Sequence, residues 1–339
     1  MPATGQTIDS SFQQRALVTA GAVAILLIGC RISLPGVDAA AARDYAARYG
    51  VAALFSLFSI GVMPILSSAF ILEILKLIFS RLRDWEAQSD RNATILQRVW
   101  LGLSLATAAL QGYGVASAMR GIDGLITNPQ GFVPLAVASF LGATALLFWI
   151  CLIVDRRGLV GGLWLLFAAQ MIMGAPYAAL DSRVIFTFGA LEMRAAMLLG
   201  AGLLAALAIL ALAGARVVRD DEADRAGGLV WPVILGYYTA GLAQAAFILM
   251  KSPLLAGRLA HLIIFAVLAV LITLMRMPKS QTGSQANARL ILTLLQVAAI
   301  AGGSILLGTV ALPFSFNPVV LVVSAAVVQV IAENAVRRA

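Results

Sequence analysis

Ten apolar stretches follow one another along the chain, and each is about long enough to cross the hydrocarbon core of a lipid bilayer as a helix. Hydrophobic side chains make up 61% of the residues and charged ones 12%, too few to give a soluble domain its polar surface. The sequence therefore predicts an all-α polytopic membrane protein. The predicted spans lie near residues 16–34, 58–79, 99–119, 132–154, 159–179, 196–216, 229–250, 259–275, 290–310 and 317–335.

The distribution of Lys and Arg between the connecting segments predicts the orientation of the spans. An even number of spans places both termini on one side, where sixteen of the 24 basic residues would lie, against eight on the other. Basic residues accumulate on the cytoplasmic side, so both termini are predicted to be cytoplasmic. The net charge of +8 follows from this bias and from contact with anionic lipid, and requires no nucleic-acid partner. No convincing cleavage site follows residues 1–15, so the first span is expected to stay in the membrane.

The second and seventh spans open alike, with VMPILSSAF from Val62 and VWPVILGYY from Val230. Pro64 and Pro232 lie about half a chain apart, which indicates an internal repeat of five spans, residues 16–195 and 196–339. Because five is odd, such a repeat must be inverted in the membrane. A proline early in a span removes a backbone donor, which is tolerated where protein or a water-filled cavity satisfies the backbone. The two helices are therefore expected to face each other or a cavity.

A few polar residues lie within the apolar spans. Glu73 is expected to pair with Lys76 three residues later, while a role in a proton or ion relay is the alternative. Gln170 and Gln244 could form hydrogen bonds across helices. His261, the only histidine, is expected near a membrane interface, and it allows no His-rich metal site.

Other sequence features argue against a metal site or a cofactor. Cys30 and Cys151 stand alone in apolar stretches, and no glycine pattern of a nucleotide-binding loop occurs. Neither a metal nor a cofactor is predicted, and any energy for the protein's work must come from a partner or a gradient. The segment from Asp155 to Gly162 reads as a tight turn between two helices, with small residues that allow close packing.

Three motifs in order, ISLPGVDAAA, FSIGVMPILSSAFILEIL and DRRGLVGGLWLLFAAQMIMGAP, resemble the SecY family, the central subunit of the protein-conducting translocon. In that family a PGID-like turn ends the first helix, a GIMP-I-S motif lies in the second, and an ERG-I-G-N-G-like turn precedes the fifth. The resemblance is close over residues 15–180. It continues more weakly through VWPVILGYY and PFSFNPVVLVV.

This resemblance implies two inverted five-helix halves around an hourglass pore, in the inner membrane of a bacterium. The pore is expected to pass or insert unfolded polypeptides, with SecE-like and possibly SecG-like subunits as partners. The implied pore ring comprises Val62, Leu66, Leu163, Phe167, Ile234 and Val323, all apolar, as a constriction that seals by excluding water requires. A lateral gate is implied between Pro64–Ile71 and Pro232–Phe247, with the candidate residues Pro64, Ser67, Ser68, Pro232, Tyr238 and Gln244.

The chain also departs from the family pattern. An FSGGAL-like element is missing from Ala39–Leu57, so a plug segment is expected to be short or absent. The cytoplasmic loops that dock the ribosome and the motor SecA shrink to Arg216–Gly228 and Arg276–Arg289, and the first of them is acidic in its middle. Docking of SecA or the ribosome is therefore expected to be weak or altered.

The alternatives to a channel are an accessory factor, a secondary transporter and an enzyme. Loss of the loops suits a non-conducting paralogue that acts as an assembly or accessory factor. Inverted repeats and broken helices also suit a secondary transporter, but a transporter needs polar groups at mid-membrane, whereas the implied waist is aliphatic. An enzyme is the least favoured, because the chain has one histidine and no paired acids at membrane depth.

Overall fold

The computed structural model describes residues 12–49, 55–180, 206–207, 209–210, 227–249, 257–277, 283–309 and 319–336. The chain divides into two compact units, Ala3–Arg183 and Val184–Ala339. The first unit contains the helices α1 (Phe12–Gly29), α2 (Ala39–Tyr49), α3 (Met63–Ile78), α4 (Ser80–Ala87), α5 (Asp90–Arg120), α6 (Pro129–Arg157) and α7 (Gly162–Leu180). The second contains α8 (Gly227–Leu249), α9 (Arg258–Arg276), α10 (Gly283–Thr309) and α11 (Val319–Val336).

The helices agree with the predicted class of an all-α membrane protein. Within the described part of the chain, five are long and apolar enough to cross a membrane: α1, α5, α6, most of α9 and the middle of α10. A sixth is added if α3 and α4, which are bent by 105° with respect to each other, form one broken span. Nine of the ten predicted spans overlap a described helix, and the predicted span 196–216 lies largely outside the described residues.

Local sequence signals account for several helix ends. Ser89 caps α5 by accepting a hydrogen bond from the Asn92 N–H, at 3.2 Å. Asn128 caps α6 in the same way through the Gln130 N–H, and the following Pro129 occupies a first-turn position where the absence of its N–H costs little. At Phe79 the backbone leaves the helical conformation, which ends α3 and begins the bend into α4.

Close backbone packing and buried polar contacts hold the first unit together. α5 runs along α6, where Gly112 leaves room for the Phe140 ring. α3 packs on α5 through a buried hydrogen bond of 2.6 Å between the hydroxyls of Ser68 and Ser104. Hydrogen bonds between polar side chains can hold helices together in lipid, where burial of apolar side chains does not itself favour helix association.

The connections at one end of the first unit form a small apolar cluster. Residues 30–38 pair with the segment before α3 through a bridge between Ser33 and Ser56, and with the loop after α5 through a bridge between Val37 and Ile126. The buried side chains of this cluster include Leu34, Phe55, Ile60, Met119, Leu125 and Phe132.

A helix, α2, lies between the first and second predicted spans, where the sequence predicts a plug that is short or absent. The Asp38 carboxylate accepts hydrogen bonds from the N–H groups of Ala40 and Ala41, both at 2.8 Å, so it caps α2. Tyr45 meets Phe55 edge to face, with ring centroids 5.5 Å apart. The described part of this segment thus contains a helix of 11 residues.

The second unit is built on a tightly packed pair of helices, α8 and α9. Gly236 of α8 lies against the backbone of Ala269 on α9, with no room for a side chain. α9 in turn meets α10, where the buried hydroxyls of Thr273 and Thr293 are 2.9 Å apart. α11 packs on both α8 and α10.

Candidate functional site

The start of α3 combines three features that the sequence places at membrane depth. Gly61 has a left-handed backbone, with a φ of +49°. Val62 is the N-cap residue of α3, and its apolar side chain accepts no hydrogen bond. Pro64, in the first turn, has no N–H. A helix start without a side-chain cap leaves backbone donors that need partners from elsewhere.

Two backbone donors at this turn have acceptors outside the ordinary helical pattern. The Met63 N–H donates to the Ile60 carbonyl at 3.2 Å, within the preceding turn. The Val62 N–H donates to Oε1 of Gln170, at 2.8 Å, although the two residues are 108 positions apart in the chain. Gln170 on α7 thus caps α3 from a neighbouring helix.

Gly61 and the Gln170 amide fit closely together. A Cβ atom at position 61 would overlap the Gln170 side-chain amide, so only glycine leaves the amide its place. The same position has the positive φ that glycine adopts without strain. The prediction that Gln170 bonds across helices is confirmed, and its partner is a backbone N–H rather than another side chain.

The bond also joins the start of α3 to the middle of α7. Phe167 and Leu163 lie three and seven residues before Gln170, on the same face of α7. Val62 and Leu66 share one face of α3. Val62 and Phe167 are fully buried, and Leu66 and Leu163 are 3% and 7% exposed. Four of the six residues assigned to the pore ring from the sequence therefore lie on two helices of the first unit that this bond joins, and all four are buried.

The other two residues assigned to the ring belong to the second unit. Ile234 lies on α8 and Val323 on α11, and both are fully buried. α8 and α11 pack against each other. The second unit thus also has buried aliphatic side chains at the two positions that the family resemblance selects.

The residues assigned to the lateral gate differ in their surroundings. Pro64 and Pro232 are buried, and Ser67, Tyr238 and Gln244 are half-buried. Ser68 is fully buried, and its hydroxyl contacts the carbonyls of Pro64 and Ile65, each at 2.9 Å, in addition to Ser104. Tyr238 meets Tyr237 edge to face, with ring centroids 5.9 Å apart.

An indole adds a further bond to the first turn of α3. Trp100 Nε1 on α5 donates to the Ile65 carbonyl at 3.1 Å, and its ring meets Phe148 of α6 at a centroid distance of 4.8 Å. The sequence analysis did not identify this contact. A tryptophan in an apolar stretch only weakly indicates a hydrogen bond between helices, because the sequence shows the donor but not the carbonyl that accepts.

The predicted pairing of Glu73 with Lys76 is confirmed, with Lys76 Nζ 3.2 Å from Glu73 Oε1. A second carboxylate, that of Glu86 on α4, lies 2.7 Å from the same ammonium group. The sequence analysis missed Glu86, because its approach depends on the bend between α3 and α4.

The charged turn between α6 and α7 is a tight helical hairpin, as predicted. Asp155 accepts a hydrogen bond of 2.6 Å from the Gly162 N–H at the start of α7. The turn is joined to α1, because the Thr19 hydroxyl accepts from the Leu159 N–H at 3.0 Å and Arg15 Nε donates to the Gly158 carbonyl at 2.8 Å.

His261 lies in the first turn of α9, near the helix start as the sequence predicts. Its ring meets that of Tyr237 on α8 edge to face, with centroids 5.3 Å apart. Among the residues that the structure describes, no three His, Cys, Asp or Glu side chains come close enough together to hold a metal ion.

Comparison with known proteins places these features in a family context. A family model described as SecY matches residues 56–226, about half of the chain. The protein translocase subunit SecY of Escherichia coli strain K12 is 26% identical over 183 residues, which cover 49% of this chain and 41% of that protein. The matched region thus spans less than half of the length of this relative.

Two solved structures match the whole of this chain and 95% of their own chains. One comes from a study of the SecY plug domain, which stabilises the closed state of that translocation channel and maintains a membrane seal; its TM-score is 0.57 and its identity 15%. The other is Sec61 in the canine ribosome–channel complex of the endoplasmic reticulum, with a TM-score of 0.55 and 14% identity. At these identities the comparison shows a shared fold.

Proposed function

Because this chain belongs to the SecY family, we propose that it forms a channel through which unfolded polypeptides cross or enter the lipid bilayer. The family consists of channels rather than enzymes, so the chain moves its substrate without chemical change. The fold likeness over the full chain supports this proposal. The observation that carries it is the set of buried apolar side chains on α3 and α7, two helices that are joined by the hydrogen bond from the Val62 N–H to Gln170 Oε1.

The proposed waist of the channel is the aliphatic ring. In the first unit, Leu66 on α3 and Phe167 on α7 are assigned to the ring. In the second unit, Ile234 and Val323 are assigned to it. A ring of apolar side chains excludes water and ions when it is empty, and it has no fixed polar groups to hold a passing chain. Burial of all six side chains supports this assignment.

The proposed lateral gate lies between Pro64–Ile71 of α3 and Pro232–Phe247 of α8. It belongs to a proposed architecture of ten membrane helices in two inverted halves, with both termini in the cytoplasm. The matching prolines near the starts of α3 and α8 support this symmetry. A proline within an early helical turn weakens the backbone bonding there, which suits a segment that must separate from its neighbours.

We assign α2 the role of a plug beneath the waist. It lies between α1 and α3, as a plug must, and it is short, at 11 residues. Its start is held by Asp38, whose own N–H donates to the Leu125 carbonyl at 2.9 Å. On this assignment α2 can leave the waist by rotating about its tethered start.

The proposed partners are an unfolded polypeptide, a SecE-like subunit and possibly a SecG-like subunit. Docking of SecA or a ribosome is proposed to be weaker than in relatives with long cytoplasmic loops. Residues 277–282 alone join α9 to α10, which supports a reduced docking surface at this end. Copurification of SecA or a ribosome from native membranes at the strength of an ordinary translocon contradicts this part of the proposal.

A photo-activated crosslinking side chain at Leu66 tests the channel directly. A polypeptide halted during insertion is expected to crosslink at position 66, which is buried, and at position 234. The matched control is Leu110 on α5, which is 75% exposed, whereas Leu66 is 3% exposed. Crosslinking at Leu110 but at neither Leu66 nor Ile234 overturns the pore assignment.

The second candidate function, a non-conducting accessory factor, is favoured by one observation, the short connection between α9 and α10. It predicts that no halted chain reaches Leu66, while membrane proteins still copurify. Conductance in planar bilayers separates the two. A Leu66→Asn variant of a channel leaks ions, whereas the same variant of an accessory factor conducts as little as the unaltered protein.

A further inference from the structure

The carboxamide of Gln170 satisfies a backbone donor that the sequence of α3 leaves without a local acceptor. We propose that Gln170 is a positioning residue, which keeps the first turn of α3 against α7 while the channel is closed and releases it when the channel opens. This proposal rests on the proposed channel function. It adds to that function the residue that controls the position of one side of the waist.

A buried backbone N–H without an acceptor raises the free energy of the folded protein. In an apolar surrounding it loses its hydrogen bond, and no water is present to replace the acceptor. Val62 is fully buried and its side chain cannot accept a hydrogen bond. The Val62 N–H is therefore held to the Gln170 Oε1 as long as the turn stays dry.

Gln170 is a polar residue within the apolar helix α7. Its neighbours in α7, Ala168, Ala169 and Met171, are apolar, so the amide is an isolated polar group in an apolar helix. Such a group is unfavourable in a membrane helix unless it bonds within the protein. The bond thus satisfies the Val62 N–H and the amide oxygen of Gln170, and each favours the position that the other occupies.

Gly61 completes the arrangement of Val62 and Gln170. Only a residue without a Cβ leaves space for the amide at this point, and the φ of +49° also favours glycine. Gly61, Val62 and Gln170 therefore form one unit, which we call the α3 clasp. Because Gln170 lies three residues after Phe167, opening of the clasp moves the first turn of α3 away from a proposed ring residue of α7.

The α3 clasp also gives opening a physical trigger. Water or a polar group of a transiting chain that reaches the Val62 N–H can replace the Gln170 oxygen as its acceptor. Until that happens, separation of α3 from α7 leaves both groups unsatisfied. The clasp thus favours the closed arrangement when the waist is dry and ceases to do so once it is occupied.

Two substitutions at position 170 test the hydrogen bond apart from the side-chain volume. Gln170→Met keeps the length of the side chain and removes the acceptor, whereas Gln170→Glu keeps an accepting oxygen. We expect Gln170→Met to raise hydrogen exchange of the backbone over residues 60–66 by about 10-fold, the effect of losing about 1.4 kcal/mol. Gln170→Glu is expected to exchange more slowly than Gln170→Met.

The same variants are then compared for ion leak in planar lipid bilayers without a transiting chain. Gln170→Met is expected to leak more than the unaltered protein. Gly61→Ala, which crowds the clasp from the other side, is expected to show the same two effects. Gln111→Met, at a half-buried position on α5, is the matched control and is expected to change neither measurement over residues 60–66.

The two measurements separate this inference from the proposed function. Unchanged exchange over residues 60–66 in Gln170→Met overturns the positioning role, whatever the conductance. Faster exchange with no leak supports the α3 clasp and overturns the channel function on which its gating role rests. Thermal unfolding of every variant in detergent checks that a change in exchange is local, and a general rise in exchange across the whole chain counts against the clasp.

Discussion

The Lys76 ammonium group lies 2.7 Å from Glu86 Oε2, across the 105° bend that separates α3 from α4. Glu73 approaches the same ammonium at 3.2 Å, so one buried cation serves two carboxylates. All three side chains are at most 16% exposed. The cluster therefore links the direction of α4 to the last turn of α3.

Loss of this link is expected to loosen the bend. Lys76→Met leaves two mostly buried carboxylates without their cation, and the free energy of unfolding in detergent micelles should fall by about 3 kcal/mol. The double variant Lys76→Met/Glu86→Gln should recover part of this loss. A double-mutant cycle on Lys76 and Glu86 is expected to give a coupling energy of about 1 kcal/mol or more.

The exposed pair of Arg83 and Asp84 on α4 is the matched control for this cycle. Its atoms are 3.9 Å apart, and its side chains are 54% and 67% exposed. An exposed ion pair contributes at most about 1 kcal/mol, so Arg83→Gln should change the unfolding free energy little. Equal coupling in both cycles contradicts a structural role for Lys76.

The indole of Trp100 is expected to stabilise the first turn of α3 through one hydrogen bond. Trp100→Phe retains an aromatic ring beside Phe148 but loses the donor to the Ile65 carbonyl, and the unfolding free energy should fall by about 1 kcal/mol. Trp149→Phe, at a position that is 61% exposed, is the control. A larger loss at Trp149 than at Trp100 is incompatible with this bond as the cause.

The hairpin between α6 and α7 depends on a glycine for close packing. A Cβ at Gly162 would lie 2.6 Å from the Cα of Cys151, so Gly162→Ala should force the helices apart and cost about 1–3 kcal/mol. At the neighbouring Gly161 a Cβ meets its nearest atom at 3.5 Å, an ordinary contact. Midpoints of thermal unfolding for the two alanine variants distinguish the sites, and equal midpoints refute the packing argument.

The bond from Leu159 to Thr19 is expected to hold α1 against this hairpin. Thr19→Val keeps the shape of the side chain and removes the acceptor, which should lower the unfolding free energy by about 1 kcal/mol. Thr94→Val is the control, because the exposed Thr94 hydroxyl donates to the backbone carbonyl of Asp90, one turn earlier in the same helix. The prediction fails if protease cleavage before α1 is no faster in Thr19→Val than in Thr94→Val.

Several contacts followed directly from the sequence. Glu73 and Lys76 are three residues apart on one helix, so local geometry alone brings them together. The turn from Asp155 to Gly162 was also predictable, because charged and small residues between two apolar stretches leave little choice of conformation. In these cases the partners are neighbours along the chain, and helix periodicity is sufficient to place them.

Other contacts depended on how the helices pack. Gln170 was predicted to bond across helices, but nothing in the sequence names the Val62 N–H as its partner. Glu86 was missed because the bend at Phe79 determines which side of α4 returns to Lys76. The sequence predicted only a plug segment that is short or absent, and not the helix α2, whose cap depends on Asp38 in the preceding turn.

The class of the protein and the locations of its long apolar helices follow from the sequence alone, because in a bilayer every long apolar stretch must satisfy its own backbone and the helix does so within one segment. The sequence also shows the glycine and proline that interrupt the start of α3. What these residues do depends on how the helices pack. The Val62 donor and the Gln170 acceptor lie far apart in the chain, and a hydrogen bond between them exists only once α3 and α7 are packed together.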